Sequence, residues 1–204
     1  VCDKKGFAYA KDITVSNEGS KFVMVLDGKE FGCQTELLGK ANIDNIVVSA
    51  TMAYLLGESL FSIKSGIQKL KPTPQRLELI KGPIVNVIDD SYNSNFEGFK
   101  QALEVLDSFS GKKIVISPGI VELGKQQESI NFETGKEVAK VADVFIIMNE
   151  TNKKPLHKGA KAGGMIDKQI YFANTRSEQK ALLKNLIQSG DVVLFENDLP
   201  DNYR

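Results

Sequence analysis

Between residues 84 and 195 the sequence alternates five short, mainly apolar runs with four segments of helical period. The runs cover residues 84–88, 113–117, 144–148, 169–172 and 192–195, and the helical segments cover 96–109, 126–141, 155–162 and 177–188. A strand that is apolar along its whole length is buried on both faces. Helices of this length between such strands are crossovers, and right-handed crossovers wind helices onto both sides of a sheet. The pattern predicts an α/β fold with a mainly parallel, Rossmann-like sheet. Ligands of such sheets bind beyond the carboxyl ends of the strands, so the polar residues after each run are the first to consider.

The earlier part of the chain has a different period. Residues 20–26 and 29–35 flank Asp27-Gly28, a pair suited to the left-handed backbone of a two-residue hairpin turn. Ile43, Ile46, Val47, Ala50, Met52, Ala53, Tyr54 and Leu56 fit a buried helix that opens after Asn42, the expected N-cap, and closes at Gly57. A second helix over 59–70 carries Leu60, Ile63, Ile67 and Leu70 on one face. Lys71-Pro72-Thr73-Pro74 stops it, because each proline lacks a donor and pushes its predecessor out of the helical region. The stretch from Pro72 to Pro83 reads as a linker and hinge. Two domains are expected: residues 1–78, with strands and two helices, and residues 79–204, with the parallel sheet.

Twenty-six Lys and Arg balance twenty-six Asp and Glu, which argues against an electrostatic grip on nucleic acid. No apolar run approaches the roughly 18–20 residues of a membrane-spanning helix. Cys2 and Cys33 are too few for a disulfide framework, and the single His157 disfavours a histidine metal site or a Ser-His relay. A cytoplasmic location is the expectation. Neither G-x-G-x-x-G after a strand nor a G-x-x-x-x-G-K-[ST] phosphate loop occurs. Val1-Cys2-Asp3-Lys4-Lys5 opens without an initiator Met or an apolar leader, so the chain reads as a fragment.

Four segments carry chemistry. Asp89-Asp90-Ser91-Tyr92-Asn93-Ser94-Asn95 places two carboxylates, a phenol and two amides between a buried strand and a helix. It reads either as a turn in which Asn95 caps the helix or as a loop that holds a polar ligand. Asn42 and Asn45 stand three apart at a helix start, and Asn45 suits an amide-rich ligand such as adenine. Arg76 is one of only three arginines, and its fork geometry suits phosphate or carboxylate. Glu122-Leu123-Gly124 follows a strand and a Pro-Gly turn.

In this order the segments resemble motifs of the Mur ligase family, most closely its D-alanyl-D-alanine-adding branch. Gly39-Lys40-Ala41-Asn42-Ile43-Asp44-Asn45 is similar to the family's G-x-H-N-x-x-N, and Gln75-Arg76-Leu77-Glu78 to its G-R-x-E. Asp89 to Asn95 matches D-D-S-Y-N-A-N, and Glu122-Leu123-Gly124 matches E-L-G. The resemblance runs over essentially the whole chain. It implies the end of the family's central ATPase domain followed by its C-terminal Rossmann-like domain. The implied activity is ATP-dependent amide ligation in peptidoglycan precursor synthesis, joining an amino acid or dipeptide to a UDP-MurNAc-peptide through an acyl phosphate.

The cofactors implied are ATP and Mg²⁺, whose phosphate loop and metal ligands belong to a preceding segment, so this chain alone is expected to be inactive. By the same resemblance Asn42, Asn45, Arg76 and Asp90 contact the nucleotide. Asp89, Tyr92, Asn93, Asn95 and Glu122 place the amine substrate. Edges of an incomplete central domain are expected to promote self-association. The sequence departs from the family at Ala41, at Pro118-Gly119-Ile120 for G-D-M, at Asn131 for a histidine, and at Glu196-Asn197-Asp198-Leu199-Pro200 for a K-G-S run. Those changes remove charge and donors from the expected pocket, and suit a second reading: a non-catalytic module that binds a nucleotide, peptide or protein.

Overall fold

A computed structural model of the chain describes residues 6–198. The opening Val1 to Lys5, with Cys2, and Leu199-Pro200 lie outside the described residues. The chain divides into two compact units, Val1–Thr73 and Pro74–Arg204.

The first unit is a three-stranded antiparallel sheet carrying two helices. Strands β1 (Ala8–Ser16), β2 (Gly19–Leu26) and β3 (Lys29–Thr35) pair in sequence order. The β2–β3 hairpin turns where expected: Asp27 and Gly28 have φ of 50° and 71°, as a two-residue turn matching the strand twist requires. Tyr54 donates its hydroxyl to the Asp27 carboxylate at 2.7 Å and holds the turn from the helix above.

Helix α1 (Gly39–Leu55) begins earlier than the sequence suggested. Its N-cap is Leu38, which is fully buried and offers no side-chain cap. Asn42 therefore lies inside the first turn, and its Nδ2 donates back to the Leu38 carbonyl at 2.9 Å. Burial of Leu38 fixes the helix start, overriding the capping preference of Asn42. Helix α2 (Leu60–Gln68) has Ser59 as N-cap, whose Oγ accepts from the Ser62 amide. Ile43, Ile46, Val47 and Ala50 of α1 and Ile63 and Ile67 of α2 close a core over Ala8, Phe22, Met24, Leu26 and Cys33. Burial pushes the Cys33 thiol up to about 11, so it acts as a small apolar group. Met52 and Leu56, expected inside, are exposed at 56% and 81%; Ala53 and Tyr54 of the same stretch pack against the core instead.

The second unit is a six-stranded sheet in the order β4-β5-β9-β6-β7-β8. Its strands are β4 (Glu78–Lys81), β5 (Asn86–Asp90), β6 (Lys113–Ser117), β7 (Val144–Met148), β8 (Ile170–Ala173) and β9 (Val192–Glu196). Five run parallel, and β4 pairs antiparallel with β5 at the edge. Strand β4 corrects the linker reading, since residues 78–81 belong to the sheet. Two flanking prolines hid it. Gly82 permits the tight return to β5, where a Cβ would lie 2.4 Å from the Val85 carbonyl oxygen.

Strand β5 lies two residues later than expected: Ile84 and Val85 form the turn, and Asp89 and Asp90 end the strand opposite Phe195 and Glu196. The crossovers are α3 (Phe96–Asp107), α4 (Gln127–Val141), α5 (Lys153–Ala162) and α6 (Arg176–Leu186). Leu182, Leu183 and Leu186 of α6 cover the sheet face of Ile114, Ile116, Val144, Ile146 and Val193. The alternate side chains, Val115, Phe145, Ile147 and Leu194, are equally buried. They point to the other face, on the side of the mutually packed α3, α4 and α5.

Helices α4 and α5 approach at backbone distance. A Cβ on Gly159 would sit 1.9 Å from the Phe132 carbonyl oxygen, and one on Gly135 would sit 2.3 Å from that of Leu156. Gly159→Ala is therefore expected to destabilise the protein by about 1–3 kcal/mol in urea unfolding. Gly66→Ala in α2, where the added carbon meets nothing within 4 Å, is expected to be neutral or stabilising by up to about 1 kcal/mol.

Candidate functional site

Strand β9 enters the sheet between β5 and β6, so the strand order reverses there and the chain leaves an opening at the carboxyl ends of three parallel strands. A cavity of about 250 Å³ lies at that end, lined by Tyr92, Asn93, Ser94, Val121, Glu122, Asn197 and Asp198. Each residue comes from the segment that follows β5, β6 or β9.

The segment after β5 is held from several sides. Asp89 folds back, accepting from the Ser91 amide at 3.1 Å and its hydroxyl at 2.6 Å. Asn95 is the N-cap of α3, its Oδ1 accepting from the Gly98 amide at 2.9 Å. Between them the Tyr92 amide donates to the Gln75 carbonyl, and the Arg76 guanidinium lies 4.1 Å from the centre of the Tyr92 ring. A stacked arginine keeps its in-plane donors available for an anion. Asp90 accepts from the Leu77 amide at 3.0 Å. Burial raises its carboxyl above the usual range, opposed by that amide and by Arg76.

The segment after β6 is set by buried amides. Asn131 accepts from the Ile120 amide at 2.9 Å and donates to the Ile120 carbonyl at 2.8 Å. Asn152 donates to the carbonyls of Pro118 and Ile120, and Asn197 donates to that of Gly119 at 2.7 Å. Gly119, at φ 80°, cannot carry a side chain, since a Cβ would meet Asn131 Oδ1 at 2.3 Å. These bonds deliver Glu122, itself at φ 63°, to the cavity rim. A non-glycine residue held in the left-handed region is a strain that a ligand-facing position often carries.

The structure thus brings Tyr92, Asn93 and Glu122 to one cavity, with Arg76 on the Tyr92 ring and Asp90 half-buried at the end of β5. Asp89 and Asn95 serve the turn and the helix cap, the first of the two readings of that segment. Asn42 and Asn45 line a different cavity, of about 460 Å³, inside the first unit. Ile46, Ala50, Ile63 and Ile67 give that cavity apolar walls.

Asn197 and Asp198, polar residues that follow the last apolar run, line the cavity, whereas sequence reasoning missed Glu196 as a buried neighbour of Asp90. The signal was there: a glutamate continuing an apolar strand without a polar break. Asp198 is paired with Arg176 at 2.9 Å. His157 sits beside Asp167 and the Phe172 ring, away from these residues. Among the described residues no group of three or more His, Cys, Asp or Glu is placed to hold a metal ion.

Residues 75–196 match the family model of the Mur ligase, glutamate ligase domain. A UDP-N-acetylmuramoyl-tripeptide--D-alanyl-D-alanine ligase of Buchnera aphidicola is 29% identical over 90% of this chain and 38% of its own length. The Escherichia coli ligase of the same name is 30% identical over 69% of this chain and 31% of its own length. The crystal structure of MurF ligase from Thermotoga maritima, in complex with ADP, superposes with a TM-score of 0.83 at 22% identity, over 96% of this chain and 44% of that one. The chain therefore spans well under half the length of these relatives.

Asn131 is expected to act through loop position. Asn131→Ala leaves the buried Ile120 amide without its partner, at a cost of about 1–3 kcal/mol in chemical unfolding. The loss should be accompanied by faster hydrogen exchange at Ile120.

Proposed function

Because the chain belongs to the Mur ligase family, as the match over residues 75–196 establishes, we propose that it is part of an ATP-dependent amide ligase acting in peptidoglycan precursor synthesis. The observation that carries this reading is the cavity at the carboxyl ends of β5, β9 and β6, which gathers Tyr92, Asn93 and Glu122. In the proposed reaction a carboxylate of a UDP-MurNAc-peptide is phosphorylated by ATP, and an amine attacks the acyl phosphate. ATP supplies the phosphoryl group that makes the acyl carbon electrophilic, and Mg²⁺ would neutralise its phosphates.

The residues present suit parts of this task. Asn42 and Asn45 offer amide edges in an apolar cavity that fits a flat base. Asp90 is an acceptor for ribose hydroxyls, and Arg76, preset by Tyr92, is a donor for phosphate. Glu122, with Tyr92 and Asn93, suits the incoming amine, since a carboxylate both attracts an ammonium group and can accept its proton. Asp89 and Asn95 contribute by fixing the loop that presents them. Among the described residues no group of three or more His, Cys, Asp or Glu is placed to hold a metal ion, and the 204 residues contain no G-x-x-x-x-G-K-[ST] loop. This chain by itself is therefore proposed to bind and not to turn over. A cytoplasmic location belongs to the same reading, and among the described residues no helix is long and apolar enough to cross a membrane.

Titration of ADP into the 204-residue chain, followed by amide chemical shifts, tests the assignment. Perturbations are expected at Asn42, Asn45, Arg76 and Asp90. Asn45→Ala and Asp90→Ala are each expected to weaken binding about tenfold, the value of one lost hydrogen bond to a ligand. Equal affinity in parent and both variants would remove the nucleotide reading.

A further inference from the structure

Glu196 ends β9 with no exposed surface. Its Oε1 accepts the Ser94 hydroxyl at 2.5 Å, while among the described residues no donor reaches Oε2. Its partner in the parallel register is Asp90, so the two carboxyl groups leave the same face of the sheet from adjacent strands. Two carboxylates are both acceptors, so neighbouring ones bond to each other only when one of them is protonated. With Glu196 wholly buried beside Asp90 on the adjacent strand, ionisation of both is strongly disfavoured.

We propose that Glu196 is a positioning residue: it carries one proton shared with Asp90, and that bond fixes the Asp90 carboxylate at the ligand end of the sheet. The neighbours decide where the proton resides. Asp90 has the Leu77 amide and the Arg76 charge in its favour, against Asp89 on its own strand. Among the described residues Glu196 has the Ser94 hydroxyl and the Asp90 charge as its polar neighbours, and its burial and that charge push its carboxyl well above the usual range. The proton therefore stays on Glu196, which donates, and the charge stays on Asp90, which accepts. That Asp90 is positioned for a ribose rests on the nucleotide reading above. The proton sharing does not.

The sign of the pH dependence follows. A carboxyl raised in the folded state binds a proton there at pH values where the unfolded chain has released it. Its contribution is complete below the unfolded value near 4.5 and is lost as pH rises through the folded value, by at most about tenfold in the folding equilibrium per pH unit.

The experiment is urea unfolding of the parent chain and Glu196→Gln between pH 5 and pH 9, with the Leu77 amide shift as a report on Asp90. The glutamine N–H replaces the shared proton permanently. The parent is expected to lose stability relative to Glu196→Gln as pH rises, and its Leu77 amide to move, while the variant holds both. Glu196→Ala, lacking any donor, should show a displaced Leu77 amide at every pH. Parallel stability curves, or a Leu77 amide that ignores pH in the parent, would overturn the proposal. ADP titration of the same samples separates the two ideas. Absence of ADP binding with the pH effects intact would refute the nucleotide reading and leave the shared proton standing. Binding without any pH effect would do the reverse.

Discussion

A strand bonded on both edges has no freedom to shift, and β9 is in that position. Its register against β5 sets Glu196 beside Asp90, and its register against β6 sets Phe195 beside Ile116. The residue after it, Asn197, donates its amide to the Asp90 carbonyl and its side chain to the Gly119 carbonyl. One residue thus joins the segments that follow β5 and β6. Tyr92, Asn93 and Glu122 share a cavity because of this tie, though thirty residues of sequence separate the first from the last.

The polar groups at this end are satisfied in a graded way. Asn131 and Asn152 are almost wholly buried and spend their donors on loop carbonyls. A buried amide left without partners would cost several times what its bonds contribute, so these residues specify one loop conformation. Asp89 and Asn95 bond locally. Tyr92 and Glu122, further out, keep polar atoms toward the cavity rim.

Much of the second unit was legible from residue order. Strands β6 and β7 fall on the expected residues, and β8 and β9 differ only at their ends, because continuous apolar runs have no competing reading. Strand β4 was not legible, since a four-residue edge strand between prolines has too little apolar content to declare itself. In the first unit Asn42 was misassigned as a cap, because nothing local says that Leu38 will be buried. Motif order proposed the candidate residues as a set, yet it did not announce their division between two cavities.

The sequence by itself determined the chemical inventory: a balanced charge, acid and amide clusters after apolar runs, and motifs shared with one family. It also determined the element types, since periodicity and turn residues are local properties of the chain. Only the tertiary structure decided that Glu196 lies against Asp90 and that Asn197 binds two loops together. Those relations depend on strand order and register, which arise from pairing between residues a hundred positions apart and leave no mark on local pattern.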